Sequence, residues 1–181
     1  GARDRHGPAQ AAWLKIPVGS EPYPGSSMER GLREELASIA RRCYERHLTS
    51  ASDGNASARL PDGTLLVTRS GSCLGDATPE DFIKVDEDGR VLSGEGRPTS
   101  ELALHVAVYR ARPDVRVVLH AHPTAVLSLN LAGIGLDDCL LPEVVLDLGC
   151  IPTAPYAAPA SPECSVMKPA SRPISSSTLT R

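Results

Sequence analysis

Apolar residues recur at helical spacing from Met28 onward. Leu32, Leu36, Ile39, Ala40 and Cys43 fall on one face, with arginine and glutamate opposite. This pattern predicts an amphipathic helix over residues 28–48. The period then changes. Residues 49–55 (TSASDGN) read as a loop and 56–60 as a short strand, and Pro61-Asp62-Gly63 is a hairpin turn into a second strand over 65–68. Ser70-Gly71 opens another loop. Pro79 begins one helical turn to Phe82, Ile83-Lys84-Val85 reads as a strand, and residues 86–89 turn the chain into Val91-Leu92. Thr99 or Ser100 caps a helix from Glu101 to Ala111, which Pro113 stops. Residues 115–120 (VRVVLH), β-branched and apolar, read as a buried strand. Pro123 takes the first position of a helix reaching Leu131, and short strands are expected over 141–148 and 151–156.

Two stretches lack any such period. Residues 1–27 are rich in Gly, Pro and Ala and read as a flexible extension, with Met28 as a natural start. Residues 159–181 are dominated by Pro, Ser and Thr. They cannot bury enough surface to offset their ordering entropy, so a disordered tail is expected. Between them, residues 28–158 interleave strands with helices. The expected class is α/β, with a central, mainly antiparallel sheet covered by helices.

Composition narrows the function. A chain of 181 residues is one domain's worth and can bury a real core. Its net charge of −3 offers no basic surface for nucleic acid or an anionic membrane. One Trp, one Phe and four Tyr make a base-stacking platform improbable. No apolar run approaches the ~18 residues that span a bilayer, and residues 1–27 have no apolar core of a secretory signal. The five cysteines (Cys43, Cys73, Cys139, Cys150, Cys164) have no C-x2-C spacing and read as reduced thiols of a cytoplasmic protein, Cys73 as a small buried one.

The candidate chemistry gathers around His120-Ala121-His122. Side chains two apart on a strand share a face. His120 and His122 can therefore converge on one ion at the usual Zn–N distance of about 2.0–2.1 Å. Upstream, Glu101 stands at a helix start. There it can act as a general acid/base or fill an open coordination position; the plain alternative is a carboxylate that complements the helix dipole. Three further motifs can offer N–H, hydroxyl or amide donors to an anion: Gly54-Asn55, Ser70-Gly71 and Thr99-Ser100. Taken singly, each is an ordinary turn or cap. His105, four residues after Glu101 on the same helical face, reads as packed behind the site rather than as a ligand.

These segments together resemble a known family, the class II aldolase/adducin domain, which includes L-fuculose-phosphate aldolase and L-ribulose-phosphate 4-epimerase. The matching stretches are GNASARL (54–60), TRSG (68–71), PTSELALHVAVYRARPDV (98–115), VVLHAHP (117–123) and IPTAPYA (151–157). The resemblance implies the family's three-layer fold, incomplete here at the C-terminus, and one Zn2+ per subunit. It implies that Asn55, Ser70, Gly71, Thr99 and Ser100 hold the phosphate of a small phosphorylated sugar. Zinc would sit on His120, His122 and a third histidine beyond the Pro-Tyr-Ala segment, with Glu101 as the acid/base. No histidine follows Ala158, and neither His6 nor His47 takes that place. The expected metal set is therefore His120, His122 and Glu101 with water, and the tail reads as a truncated or frame-altered end. The implied reaction is reversible aldol cleavage in carbohydrate catabolism, by an aldehyde-lyase assembled as a homotetramer when complete. The alternatives are a sugar-phosphate 4-epimerase of the same family, a non-catalytic adducin-like scaffold, or an inactive truncated product.

Overall fold

The computed structural model describes residues 25–136 together with Ile151 and Thr153. Helix α1 (Gly25–Glu45) leads into β1 (Asn55–Arg59), β2 (Leu65–Thr68), β3 (Phe82–Val85) and β4 (Val91–Ser93). Helix α2 (Leu102–Ala111), β5 (Val117–His120) and α3 (Thr124–Leu131) follow. The expected extension, the tail and the strand over 141–148 lie outside the described residues. Of the stretch 151–156, only Ile151 and Thr153 are described, and neither is in a strand.

The five strands form one antiparallel sheet in the order β4-β3-β2-β1-β5. Strand alternation sorts its side chains between two helices. Ala56, Ala58, Leu66 and Phe82 face α1 and pack with Leu36 and Ala37. Leu65, Val67, Ile83 and Val85 face the other way, against Val106 and Tyr109 of α2. The result is helix, sheet, helix: the helix-covered antiparallel sheet expected from the strand and helix pattern, in the three layers that the resemblance implies. The alanines of β1 leave room for α1 to approach closely. Lys84 points to the α1 side, yet its ammonium reaches the Glu29 carboxylate at 3.1 Å.

Several boundaries differ from the sequence expectation. Helix α1 begins at Gly25 rather than Met28, because Gly-Ser-Ser carries no apolar signal to mark a first turn. It ends at Glu45 rather than Leu48. The Leu48 N–H bonds the Cys43 carbonyl at 3.0 Å and the His47 N–H bonds the Tyr44 carbonyl at 2.9 Å. His47 itself takes a left-handed φ of 56°. This is a Schellman end, built on histidine where glycine is usual. Asn55 belongs to β1, not to the preceding loop. Strand β5 is shorter than expected and is not buried: Val117 is 42% and Leu119 40% exposed. Among the described residues it is the sheet's edge, so only one of its long sides is paired. Cys73 is half-buried rather than buried. Among the described residues, no helix is long and apolar enough to cross a membrane.

Candidate active site

The antiparallel order brings three strand ends to one side of the sheet. Strand β1 starts where β2 and β5 finish, and Asn55 is the register partner of His120. The chain leaving β2 is tied to the approach to α2 by the Thr99 N–H on the Thr68 carbonyl at 2.9 Å and the Ser70 N–H on the Arg97 carbonyl at 2.8 Å. The Thr99 hydroxyl then accepts the Glu101 N–H at 3.2 Å, which sets Glu101 as the cap of α2. The helix therefore starts at Leu102, one residue later than expected.

A cleft of about 150 Å³ opens at this junction. Its walls hold Asn55, Ser70, Gly71, Thr99, Ser100, Glu101, His120 and His122, the residues that the sequence offered as ligands or acid/base. Because the Ser70 amide is already used, Ser70 can offer an anion its hydroxyl rather than its N–H. Thr99 and Glu101 are buried, and both imidazoles are half-buried.

The histidine pair converges. Nε2 of His120 and Nε2 of His122 stand 3.1 Å apart, with the rings edge to face at 67°. Two nitrogens each bound to a tetrahedral zinc at the usual distance would stand about 3.3 Å apart, so the spacing fits one shared ion. The donor set fits as well. Two imidazole lone pairs cannot face each other at this range without a proton or a cation between them. Burial, and next the neighbouring His122, push the His120 pKa down, partly countered by Glu101 and Asp53. A neutral ring keeps its lone pair for a metal. Among the described residues no third His, Cys, Asp or Glu joins the pair in a group that could hold an ion. Glu101 shares the cleft and acts on His120 through charge.

Sequence reasoning missed several neighbours. The Asp53 carboxylate lies 3.9 Å from His122 Nδ1 and is itself held by the Ser50 N–H at 2.6 Å. Its signal was its place two residues before Asn55, in the loop that leads into β1. Behind the cleft, the fully buried His105 bonds Ser57 Oγ through Nδ1 at 2.6 Å and Asn55 Oδ1 through Nε2. Ser57 also meets the Tyr109 hydroxyl at 2.8 Å. Burial holds the His105 pKa down at about 4 and pushes that of Tyr109 up to about 12. His105 and Tyr109 are four apart on α2, below Glu101 at its cap, and this spacing is the pattern that could have placed them behind the cleft.

The profile described as "Class II Aldolase and Adducin N-terminal domain" matches residues 34–176. The chain belongs to this family. It is 39% identical over 138 residues to a 3-oxo-tetronate 4-phosphate decarboxylase of Escherichia coli K12, covering 74% of this chain and 65% of that protein. It is 36% identical over 114 residues to a methylthioribulose-1-phosphate dehydratase of Gluconacetobacter diazotrophicus, covering 63% of this chain and 53% of that protein. Among solved structures, YgbL of Escherichia coli superposes with a TM-score of 0.70 at 37% identity, covering 76% of this chain and 68% of the other. The L-fuculose-1-phosphate aldolase of Thermus thermophilus does so with a TM-score of 0.62 at 28% identity, covering 76% and 67%. The chain thus spans a little under two thirds of the length of the curated decarboxylases it matches, 65% for the Escherichia coli K12 protein.

Proposed function

We propose that this chain carries the metal and phosphate end of a lyase site that breaks a carbon–carbon bond in a small phosphorylated sugar or sugar acid. One observation supports this above the others. Four separate segments bring a converging imidazole pair, a carboxylate, and a row of hydroxyl and amide donors to one cleft. His120 and His122 would hold the divalent ion, Zn2+ by the chemistry of the ligands. When bound, such an ion polarises the substrate carbonyl and offsets the negative charge that builds as the bond breaks.

The chain's own residues supply the rest. Asn55, the Ser70 hydroxyl, Gly71, Thr99 and Ser100 would fix the phosphate, so that the reacting carbons meet the histidine end in one orientation. Glu101 would return a proton to the carbon on which the electron pair remains. Aldol cleavage and decarboxylation share this course: the outer bond of the carbon next to the carbonyl breaks, CO2 leaves from a carboxylate or an aldehyde leaves as its hydroxyl gives its proton to solvent, and the electron pair left on that carbon takes a proton. The decarboxylases at 39–40% identity favour release of CO2 from a 3-oxo sugar-acid phosphate over the aldol cleavage implied by the sequence resemblance.

The test is to load the purified chain with Zn2+ and supply 3-oxo-tetronate 4-phosphate or L-fuculose 1-phosphate. The expected result is metal-dependent CO2 release from the first, lost in Glu101→Gln. Aldehyde release from the second would restore the aldolase reading. Inertness toward both, with metal bound, would reject the proposal.

A further inference from the structure

We propose that His105 is a positioning residue. It holds Asn55 with the carboxamide oxygen turned inward, so that the cleft offers an anion the amide hydrogens. The inference rests on the phosphate reading above and deepens it.

One buried chain of hydrogen bonds sets this orientation. Asn55 Oδ1 has no hydrogen, so the His105 nitrogen facing it, Nε2, must donate. A neutral imidazole carries one proton, so Nδ1 must accept, and the Ser57 hydroxyl at 2.6 Å donates to it. The Ser57 oxygen is then free to accept from the Tyr109 hydroxyl at 2.8 Å. Each assignment follows from the one before it, starting at Asn55 Oδ1, so an inward-facing amide oxygen and a single proton sense along the buried chain go together. Burial keeps the ring neutral, consistent with this single-proton arrangement.

The geometry explains why one imidazole can do this. Asn55 and Ser57 are two apart on β1 and point to the same face. His105, on α2 across that face, spans them with its two nitrogens. At the open end, Asn55 Nδ2 lies 3.5 Å from His120 Nδ1, beyond the ordinary N–H hydrogen-bond range of about 2.7–3.2 Å. The amide hydrogens are therefore not committed to that ring. His105 itself has no exposed surface, so its effect on a ligand passes through Asn55.

Two measurements test the proposal. Long-range proton–nitrogen NMR on histidine-labelled protein at neutral pH should show His105 as the Nε2–H tautomer; the Nδ1–H tautomer overturns it, because Asn55 would then face the cleft with its oxygen. Titration with inorganic phosphate should show affinity falling about tenfold in His105→Phe. It should largely recover in His105→Gln, whose amide can again donate to Asn55 Oδ1. Unchanged phosphate affinity in His105→Phe overturns the inference alone. Absence of phosphate binding by the unaltered protein overturns the phosphate reading and this inference with it. Should His105→Phe fail to fold, the tautomer of the unaltered protein decides.

Discussion

Asn55 and His120, sixty-five residues apart in the chain, are direct register partners on β1 and β5, with Asn55 Nδ2 3.5 Å from His120 Nδ1. This pairing joins the two halves of the cleft, the donors for an anion and the imidazoles for a cation. It also makes the strand pairing itself part of the site: a slip of one residue would send Asn55 to the opposite face of the sheet.

The convergence of Nε2 atoms gives a first expectation. His120→Ala and His122→Ala should each weaken Zn2+ binding by at least the about 10- to 100-fold that loss of a supporting group costs a metal site. Calorimetric titration with Zn2+ checks this. Equal affinity in both variants and in the unaltered chain would show that the pair is not a metal site.

Acid stability follows from His105. Its pKa is about 4 in the folded protein against an ordinary value of 6.5. The unfolded chain thus binds more protons between those values, and the folded state loses stability as the pH falls from 6.5 toward 4. Below that the contribution levels off, and above 6.5 it is complete. The size is about 3 kcal/mol. Urea denaturation at pH 7.5 and 4.5 should show this drop, and His105→Gln, which removes the titrating group, should show it reduced by about that amount.

Gly54 has a φ of +73°, and a methyl group there would run into the Thr49 side chain and lie 3.0 Å from the His120 carbonyl. Gly54→Ala should therefore cost about 1–3 kcal/mol. Because Asn55 is the next residue, phosphate affinity should fall with it. Thermal melting and phosphate titration of one variant read both effects.

Asp81 lies outside the cleft yet holds its wall. Burial opposes its ionisation, but the Thr78 N–H and hydroxyl, the Ser72 hydroxyl and the Arg69 guanidinium outweigh this and hold its carboxyl below the usual range. Those bonds tie down the 69–72 loop. Asp81→Ala should destabilise the fold by about 2 kcal/mol. It should also weaken phosphate binding while leaving Zn2+ affinity near its original value, a separation that two titrations would reveal.

The local elements were legible in the sequence because their causes are local. Helical periodicity marked α1, Pro61-Asp62-Gly63 marked the β1–β2 hairpin, and the Thr99-Ser100-Glu101 and His120-Ala121-His122 motifs announced chemistry by residue type and spacing. The order of these motifs was enough to suggest the family. What periodicity cannot carry is which strands become neighbours. Only the tertiary structure placed Asn55 opposite His120, exposed one side of β5 that its apolar residues had suggested was buried, and joined Tyr109, Ser57 and His105 behind the cleft. Those contacts join residues some fifty to sixty-five positions apart, and at such separations the alternation of side chains reports a face but not the partner across it.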